Sequence, residues 1–215
     1  MASREFVTPL GVLSYPHLDR PKKIDPNQPA KFSCSLILAP EKIAPLREVI
    51  LEIARAEFGP TALDMLKTQQ LSSPIRSGDE PGKAGDPVYA GKFFINCYRD
   101  ESSGPPQLLK WVGVGQRPQA LMDKSELYAG CQVQLNLGIF AYKKSMKRGI
   151  GVALNGVLLV APGTRIGGAT RDSTDAFMAG VDADAAAAAQ AANAAAAEAA
   201  AANGNASGGA GSNPW

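Results

Sequence analysis

Apolar and polar residues alternate along three stretches of the chain, and a period of two is typical of β-strands with one buried face. The clearest stretch is CQVQLNLGIFAY at 131–142, where every second residue from Cys131 to Ile139 is apolar. The same alternation appears in KFSCSLIL at 31–38 and KFFINCYR at 92–99. Further strands are expected at QLLKWVGVG, at GIGVALNGVLLVA and at SREFVTPLGVLSY, which Pro9 interrupts.

A different spacing marks a helix in the segment EKIAPLREVILEIARAEF, residues 41–58. Its apolar residues recur at three- and four-residue intervals, which places them on one stripe: Ile43, Leu46, Ile50, Ile53 and Ala54. A shorter helix is expected near TALDMLKTQQ. Strands do not alternate with helices, and turn residues separate most of them. The pattern therefore predicts a mainly β fold with a small closed antiparallel sheet.

Composition changes sharply after Arg171, where the segment AAAAAQAANAAAAEAAAA leads into GNASGGAGSNPW. Alanine favours helix, but an isolated helix of this length is marginal in water, and Gly/Ser-rich segments are flexible. We expect a folded domain over residues 1–171 and a flexible or partly helical tail over residues 172–215. The tail is either a functional arm or a passive linker. Within the domain, the Gly- and Pro-rich residues 72–91 predict a long connection.

Charge is divided unequally between these two parts. All 22 Lys and Arg residues lie at or before Arg171, together with 15 of the 20 acidic residues. The first part therefore carries a net charge of +7, and the other five acids lie in the tail, at Asp172, Asp175, Asp182, Asp184 and Glu198. A basic body with an acidic tail indicates a polyanionic partner and a segment that competes for the same surface.

The alternation also predicts aromatic side chains on the non-core face of the sheet. If Cys131 to Ile139 fill the core, Phe140 and Tyr142 point outward, and the same logic places Phe94 and Tyr98 outward beside Lys92. Rings interleaved with amides and cations suit a single-stranded nucleic acid, because bases stack on the rings and cations follow the phosphates.

Two basic segments accompany these rings. Lys143, Lys144, Lys147 and Arg148 are expected in the loop before the last strand, where phosphates would relieve their mutual repulsion. YPHLDRPKK is expected in the loop after the first strand and contributes Tyr15, Arg20, Lys22 and Lys23. Two other interpretations remain open: the long helix covers Phe94 and Tyr98, or the basic run is an ordinary solvated loop.

Catalytic and metal-binding patterns are weak. Cys34, Cys97 and Cys131 lie far apart and His17 is the only histidine, so we expect no metal, no cofactor, and three buried thiols. No catalytic residue is proposed, and an enzyme is not expected. Five carboxylates in Gly- and Pro-rich loops leave a metal-dependent nuclease as an alternative, although solvated turn acids are the usual explanation: Asp79, Glu80, Asp86, Asp100 and Glu101. No membrane span or secretory leader is visible, which favours a cytoplasmic protein.

A string of short motifs over residues 5–168 resembles a known family. The motifs are GVLSYP, PAKFSCSLILAP, PIRSGDE, YAGKFFINCY, LYAGCQVQLNLGIFAY and GIGVALNGVLLVAPGTRIGG. They are similar to those of tailed-bacteriophage single-stranded DNA-binding proteins, which carry one OB barrel with a helix inserted after the second strand. The resemblance implies a five-stranded OB-fold barrel that binds single-stranded DNA independently of sequence during phage DNA replication and recombination, in the cytoplasm of the infected bacterial host.

In related phage proteins an acidic tail with a terminal aromatic shields the DNA groove and contacts replication proteins. Here Trp215 and the five tail acids occupy the comparable place, although alanine dilutes the acids and none lies in the last ten residues. A protein-interaction OB module remains an alternative to DNA binding. The residues and the resemblance together predict nucleic-acid contacts at Tyr15, Lys22, Lys23, Arg76, Lys92, Phe94, Tyr98, Phe140, Tyr142, Lys143, Lys144, Lys147 and Arg148.

Overall fold

The computed structural model describes residues 2–23, 29–144 and 147–167, and short helical stretches at 187–188, 191–192 and 194–195. Two α-helices occur in the first three ranges, α1 (Ala44–Phe58) and α2 (Ala62–Lys67). The strands are β1 (Ser3–Val7), β2 (Gly11–Lys22), β3 (Lys31–Leu38), β4 (Ile75–Ser77), β5 (Phe93–Asp100), β6 (Gln107–Lys110), β7 (Gln119–Ala120), β8 (Gln132–Lys144) and β9 (Lys147–Ala161).

Five of these strands close into a barrel. Strand β2 pairs with β3, β3 with β5, β5 with β9, β9 with β8, and β8 again with β2. All of these pairings are antiparallel except β5–β9, which is parallel. This order is the topology of the OB fold, so the predicted fold class is confirmed. Strands β1, β4, β6 and β7 extend the barrel at its edges.

The first predicted strand is in fact two strands. Thr8 to Leu10 separate β1 from β2, and both strands pair with β8. Pro9 has no backbone N–H to give to a ladder, and Thr8 instead fixes the corner. Its N–H donates to the Leu135 carbonyl at 2.9 Å, and its hydroxyl accepts from the Leu135 N–H at 2.9 Å.

The long helix α1 follows the second barrel strand, as predicted, and packs against β1, β8 and β9. Its buried residues match the predicted stripe and add one valine: Leu46, Val49, Ile50, Ile53 and Ala54. Ile43 precedes the helix and is also buried. The rings of Phe94 and Tyr98 do not lie beneath this helix; it contacts Phe93 instead, with the Arg47 guanidinium 4.7 Å from the ring centroid.

The barrel interior holds the apolar positions of the alternating strands. Every second residue from Cys131 to Ile139 is fully buried, as predicted, together with Leu36, Leu38 and Ile95 of the neighbouring strands. The three cysteines are free and buried, which confirms their interpretation as small core residues. Cys34 and Cys97 lie directly opposite each other on β3 and β5. Their mutual hydrogen bond, followed by burial, raises the pKa of Cys97, so this thiol stays protonated.

The chain divides into two units, Met1–Gly167 and Gly168–Trp215. Within the second unit the three described stretches are helical and exposed. The five tail acids and Trp215 lie outside the described residues. No helix in the described part of the chain has both the length and the hydropathy needed to cross a membrane.

Candidate nucleic-acid interface

The outward face of β3 and β5 carries four side-chain pairs. The residues that lie directly opposite each other are Ile37–Phe94, Ser35–Asn96, Ser33–Tyr98 and Lys31–Asp100. Opposite residues of an antiparallel pair share one face of the sheet. Along this face the surface changes from apolar, through an amide and a hydroxyl, to an aromatic ring.

The prediction that Phe94 is an exposed ring is wrong. Phe94 is only 3% exposed, because the long connection after β4 folds back over it. Tyr89 of that connection packs edge-on against the Phe94 ring at a centroid distance of 5.3 Å. The alternation correctly placed Phe94 outside the barrel interior, but a pattern within one strand cannot show that a distant segment covers the ring.

Tyr89 is the anchor of this connection. It is 1% exposed, and its hydroxyl donates to Ser14 Oγ at 2.9 Å in a buried hydrogen bond. Burial raises the pKa of Tyr89, so the phenol stays neutral and keeps its proton for this bond. Lys92 was expected at the nucleic acid, but its ammonium donates to the Val88 carbonyl at 2.9 Å and so helps to close the same connection.

We expect Tyr89→Phe to lower the free energy of unfolding by about 1–3 kcal/mol, because the buried Ser14 hydroxyl loses its partner. Urea denaturation followed by circular dichroism measures this. Tyr15→Phe is the matched control: its hydroxyl lies on an exposed side chain, and the change should stay within about 0.5 kcal/mol. Equal unfolding free energies for the two variants would contradict the anchoring role.

Tyr98 remains accessible, with 38% of its surface exposed. Burial of the rest of the ring raises the pKa of its hydroxyl, which is therefore neutral at physiological pH. Tyr15 is more open, with 55% exposed, and its backbone has φ of 46°, a left-handed conformation that is uncommon outside glycine. The register of β2 against β3 shifts at this point, between Ser14 and His17. The bulge turns the Tyr15 ring toward the groove.

The second predicted ring pair lies on β8. Phe140 is exposed and Tyr142 half-buried, as the alternation predicted. Phe140 lies opposite Gly151 of β9, and a Cβ at Gly151 would come within 2.8 Å of the ring. The absence of a side chain at Gly151 therefore leaves the space that the Phe140 ring occupies over β9.

Two concavities join these rings into one groove. The first, of about 450 Å³, is lined by Tyr15, Lys22, Lys23 and the floor of β3 and β5. The second, of about 550 Å³, is lined by Phe140, Tyr142, Lys31 and Lys144. Three residues line both: Arg76, Asn96 and Tyr98. The two concavities therefore adjoin at these three residues, and together they are called the groove, which extends from Tyr15 to the β8–β9 hairpin with Tyr98 between its two halves.

The cations that line the groove come from separate parts of the chain. Lys22 ends β2 and Lys23 follows it, so the segment predicted as a loop is mostly strand up to this point. Arg76 on β4 lies over the Phe94 ring at 5.8 Å and donates through Nε to Glu80 at 2.9 Å. His17 also lines the first concavity; burial and then the charge of Lys22 lower its pKa, so it is neutral at pH 7.

The four basic residues at 143–148 were predicted to lie in a loop, but the structure places them at the facing ends of β8 and β9. Lys144 pairs with Lys147 and Lys143 pairs with Arg148, so the two pairs occupy opposite faces of the hairpin. Lys144 lines the groove. Lys143 instead contacts Glu57 of α1 at 3.0 Å and lies 5.2 Å from the Phe58 ring. Only half of the basic run faces the groove.

Sequence reasoning missed Lys83, which closes over the first concavity. Its ammonium lies 4.3 Å from the Tyr15 ring centroid and 4.4 Å from that of Tyr89, and it donates to the Tyr15 hydroxyl at 3.2 Å. Nothing in the local pattern around Lys83 signals this contact, because it depends on how residues 78–92 fold back. Asn96 was predictable, since it alternates with Phe94 and Tyr98.

Three of the five loop carboxylates have structural partners that stabilise turns or the neighbouring strand. Asp79 accepts from the Gly91 N–H and Asp86 from the Val88 N–H, both at 3.0 Å, and Glu80 is held by Arg76. These contacts are typical of acidic residues in turns, which the sequence analysis gave as the usual explanation for carboxylates in Gly- and Pro-rich loops. Among the described residues no group of three or more His, Cys, Asp or Glu side chains is placed to hold a metal ion.

A five-stranded OB barrel with an aromatic and basic groove across its second and third barrel strands defines the class of this protein. Comparison with known families gives the more particular assignment. The profile described as "Enterobacter phage Enc34, ssDNA-binding protein" matches residues 7–205. The chain belongs to this phage single-stranded DNA-binding protein family. No curated protein matches the sequence.

Solved structures of low sequence identity share the fold. The single-stranded DNA-binding protein from bacteriophage Enc34 in complex with ssDNA has a TM-score of 0.56 and 19% identity, over 76% of this chain and 89% of that chain. A C-terminal truncation of the Enc34 protein has a TM-score of 0.55 and 20% identity, over 75% of this chain and 88% of that chain. The single-stranded DNA-binding protein gp2.5 of bacteriophage T7 has a TM-score of 0.51 and 14% identity, over 85% of this chain and 97% of that chain.

Proposed function

We propose that this protein binds single-stranded DNA along the groove, without catalysis and without requiring a particular sequence. The observation that carries the proposal is the pair of adjoining concavities, in which Tyr15, Tyr98 and Phe140 present partly exposed rings between cations. Bases stack on aromatic rings whatever their identity, because every base has a π-face. Lys22, Lys23 and Lys144 lie where they can neutralise the phosphates that link stacked bases.

Membership of the phage family supports this proposal. The related Enc34 protein has been solved in complex with ssDNA. We propose that the chain coats displaced strands during phage DNA replication and recombination, in the cytoplasm of the infected host. The bases of duplex DNA are stacked inside the helix, so far fewer base faces are free to stack on the rings of this groove than in an unpaired strand.

Titration with fluorescent oligo-dT, followed by anisotropy at low and moderate salt, tests the proposal. We expect binding that weakens steeply as salt rises, because neutralised phosphates release counterions. Duplex DNA and RNA competitors measure selectivity. Incubating the strand with the protein and magnesium, then checking its length on a gel, tests the nuclease alternative. Absence of binding at low salt would overturn the proposal and favour a protein-interaction module.

The tail is proposed to compete with DNA for the basic groove. Truncation after Arg171 removes five acids and no cation, so the electrostatic competitor is lost. We expect the truncated protein to bind oligo-dT more tightly than the full chain at low salt, with the difference shrinking as salt screens the charges. Equal affinities at low salt would indicate a spacer or a docking arm. A variant with the five acids replaced by Asn and Gln separates charge from length.

A further inference from the structure

Lys83 is a half-buried cation that contacts two aromatic rings instead of a carboxylate. Its ammonium lies 4.3 Å from the centroid of the Tyr15 ring and 4.4 Å from that of the Tyr89 ring. It also donates to the Tyr15 hydroxyl at 3.2 Å. Among the described residues no carboxylate lies within ion-pair distance of Lys83. The position of this ammonium therefore depends on the two rings.

Successive turns fix the backbone from which Lys83 projects. The Lys83 N–H donates to the Glu80 carbonyl at 2.8 Å, and the Lys83 carbonyl accepts from the Asp86 N–H at 3.0 Å. The same connection is anchored to the barrel by Tyr89, whose ring is 1% exposed. Lys83 therefore reaches Tyr15 from a segment that is itself attached to the protein core.

Tyr15 is held less firmly than its neighbours. It is 55% exposed, stands on the bulge of β2, and is not among the described apolar residues that pack in the two core clusters. A cation over the face of a ring is attracted by the quadrupole of the ring. Lys83 therefore holds Tyr15 by one face and by the hydroxyl, which leaves the other face of the ring for a base.

We propose that Lys83 is a positioning residue, which holds the Tyr15 ring in the orientation that stacks on a base. This rests on the proposed function. A ring that is ordered before binding loses less conformational freedom when the strand arrives, so the contact contributes more to affinity. Lys83 thus acts through Tyr15 and not by contacting a phosphate, in contrast to Lys22 and Lys23 of the same concavity.

A double-mutant cycle tests this proposal, because a residue that acts only through Tyr15 has no effect once Tyr15 is removed. Lys83→Ala should weaken binding to oligo-dT about threefold to tenfold in the wild-type chain, the range for ordering one side chain. In the Tyr15→Ala background the same change should cost less than about twofold. The slope of log K against log salt should stay unchanged, whereas loss of a phosphate contact would lower it by about 0.7.

Lys23→Ala is the charge-matched control, since it removes one cation from the same concavity. It should cost the same factor with and without Tyr15, and it should flatten the salt dependence. Anisotropy titrations at several salt concentrations measure all of these variants, and circular dichroism checks that each is folded.

Three results would overturn the inference alone while the wild type still binds oligo-dT. These are no loss of affinity in Lys83→Ala, an equal loss in both backgrounds, or a slope lowered as far as in Lys23→Ala. Failure of the wild type to bind oligo-dT would overturn the inference together with the proposed function.

Discussion

Replacing Lys144 and Lys147 together with alanine should weaken binding to oligo-dT about 20-fold at 0.1 M salt and flatten the salt dependence. The two lysines pair across the end of the hairpin on the face that carries Tyr142, and Lys144 lines the groove. Each phosphate contact contributes about 0.7 to the slope of log K against log salt for single strands, so the slope should fall by about 1.4. Anisotropy titrations at several salt concentrations give both the affinity at 0.1 M salt and the slope.

The other half of the basic run supplies a charge-matched control. Lys143 and Arg148 occupy the opposite face, and Lys143 is held by Glu57. The hydrogen bond from Lys143, followed by that from the Ala2 N–H, lowers the pKa of Glu57, so this carboxylate is ionised at neutral pH. The double variant Lys143→Ala with Arg148→Ala removes the same charge but should change the slope much less. Equal slopes for the two double variants would show that net charge, not the groove face, determines binding.

Replacing Tyr98 with alanine should lower the affinity for oligo-dT by about 1–3 kcal/mol, the value of one base stacked on an aromatic ring. Tyr98 is the ring that both concavities share, and it stands at the middle of the groove with 38% of its surface open. Stacking involves no counterion, so the loss should be the same at low and moderate salt. Titrations at two salt concentrations distinguish this loss of stacking from the salt-dependent loss of affinity in the lysine variants.

Tyr98→Phe is the matched control for this prediction. It keeps the ring and removes only the hydroxyl, for which no protein acceptor is present among the described residues. Its affinity should remain close to that of the wild type. If Tyr98→Phe loses as much affinity as Tyr98→Ala, the hydroxyl rather than the ring makes the contact. If neither variant changes affinity, the strand does not pass over the middle of the groove.

The helix α1 and the strands β3, β5 and β8 were predictable because each has a period that survives in the fold. Cys131 to Ile139 alternate between barrel interior and surface along the whole of β8, so their burial follows from the sequence pattern alone. The same holds for Phe140 and Tyr142 on the other face. The first strand was predicted less well, since Pro9 indicated an interruption without showing that the chain turns a corner there.

The errors at the candidate site share one physical origin. Phe94 was expected to be open, yet it is buried under Tyr89, which is five residues away in sequence and reaches it only through the folded connection. Lys92 and Lys143 were expected at the nucleic acid, but each has a partner elsewhere, the Val88 carbonyl and Glu57. Such partners depend on which segments meet in space, and no periodicity within a strand encodes them.

The sequence by itself determined the mainly β class, the inserted helix, the faces of the regular strands, and the excess of positive charge in the body, because short-range spacing and composition set all four. The tertiary structure decided which outward side chains stay open. Barrel closure brings β3 and β5 beside the β8–β9 hairpin, and residues 78–92 fold over one end of that surface. A groove is made by segments distant in sequence, so the set of rings that stay exposed appears only once the chain has folded.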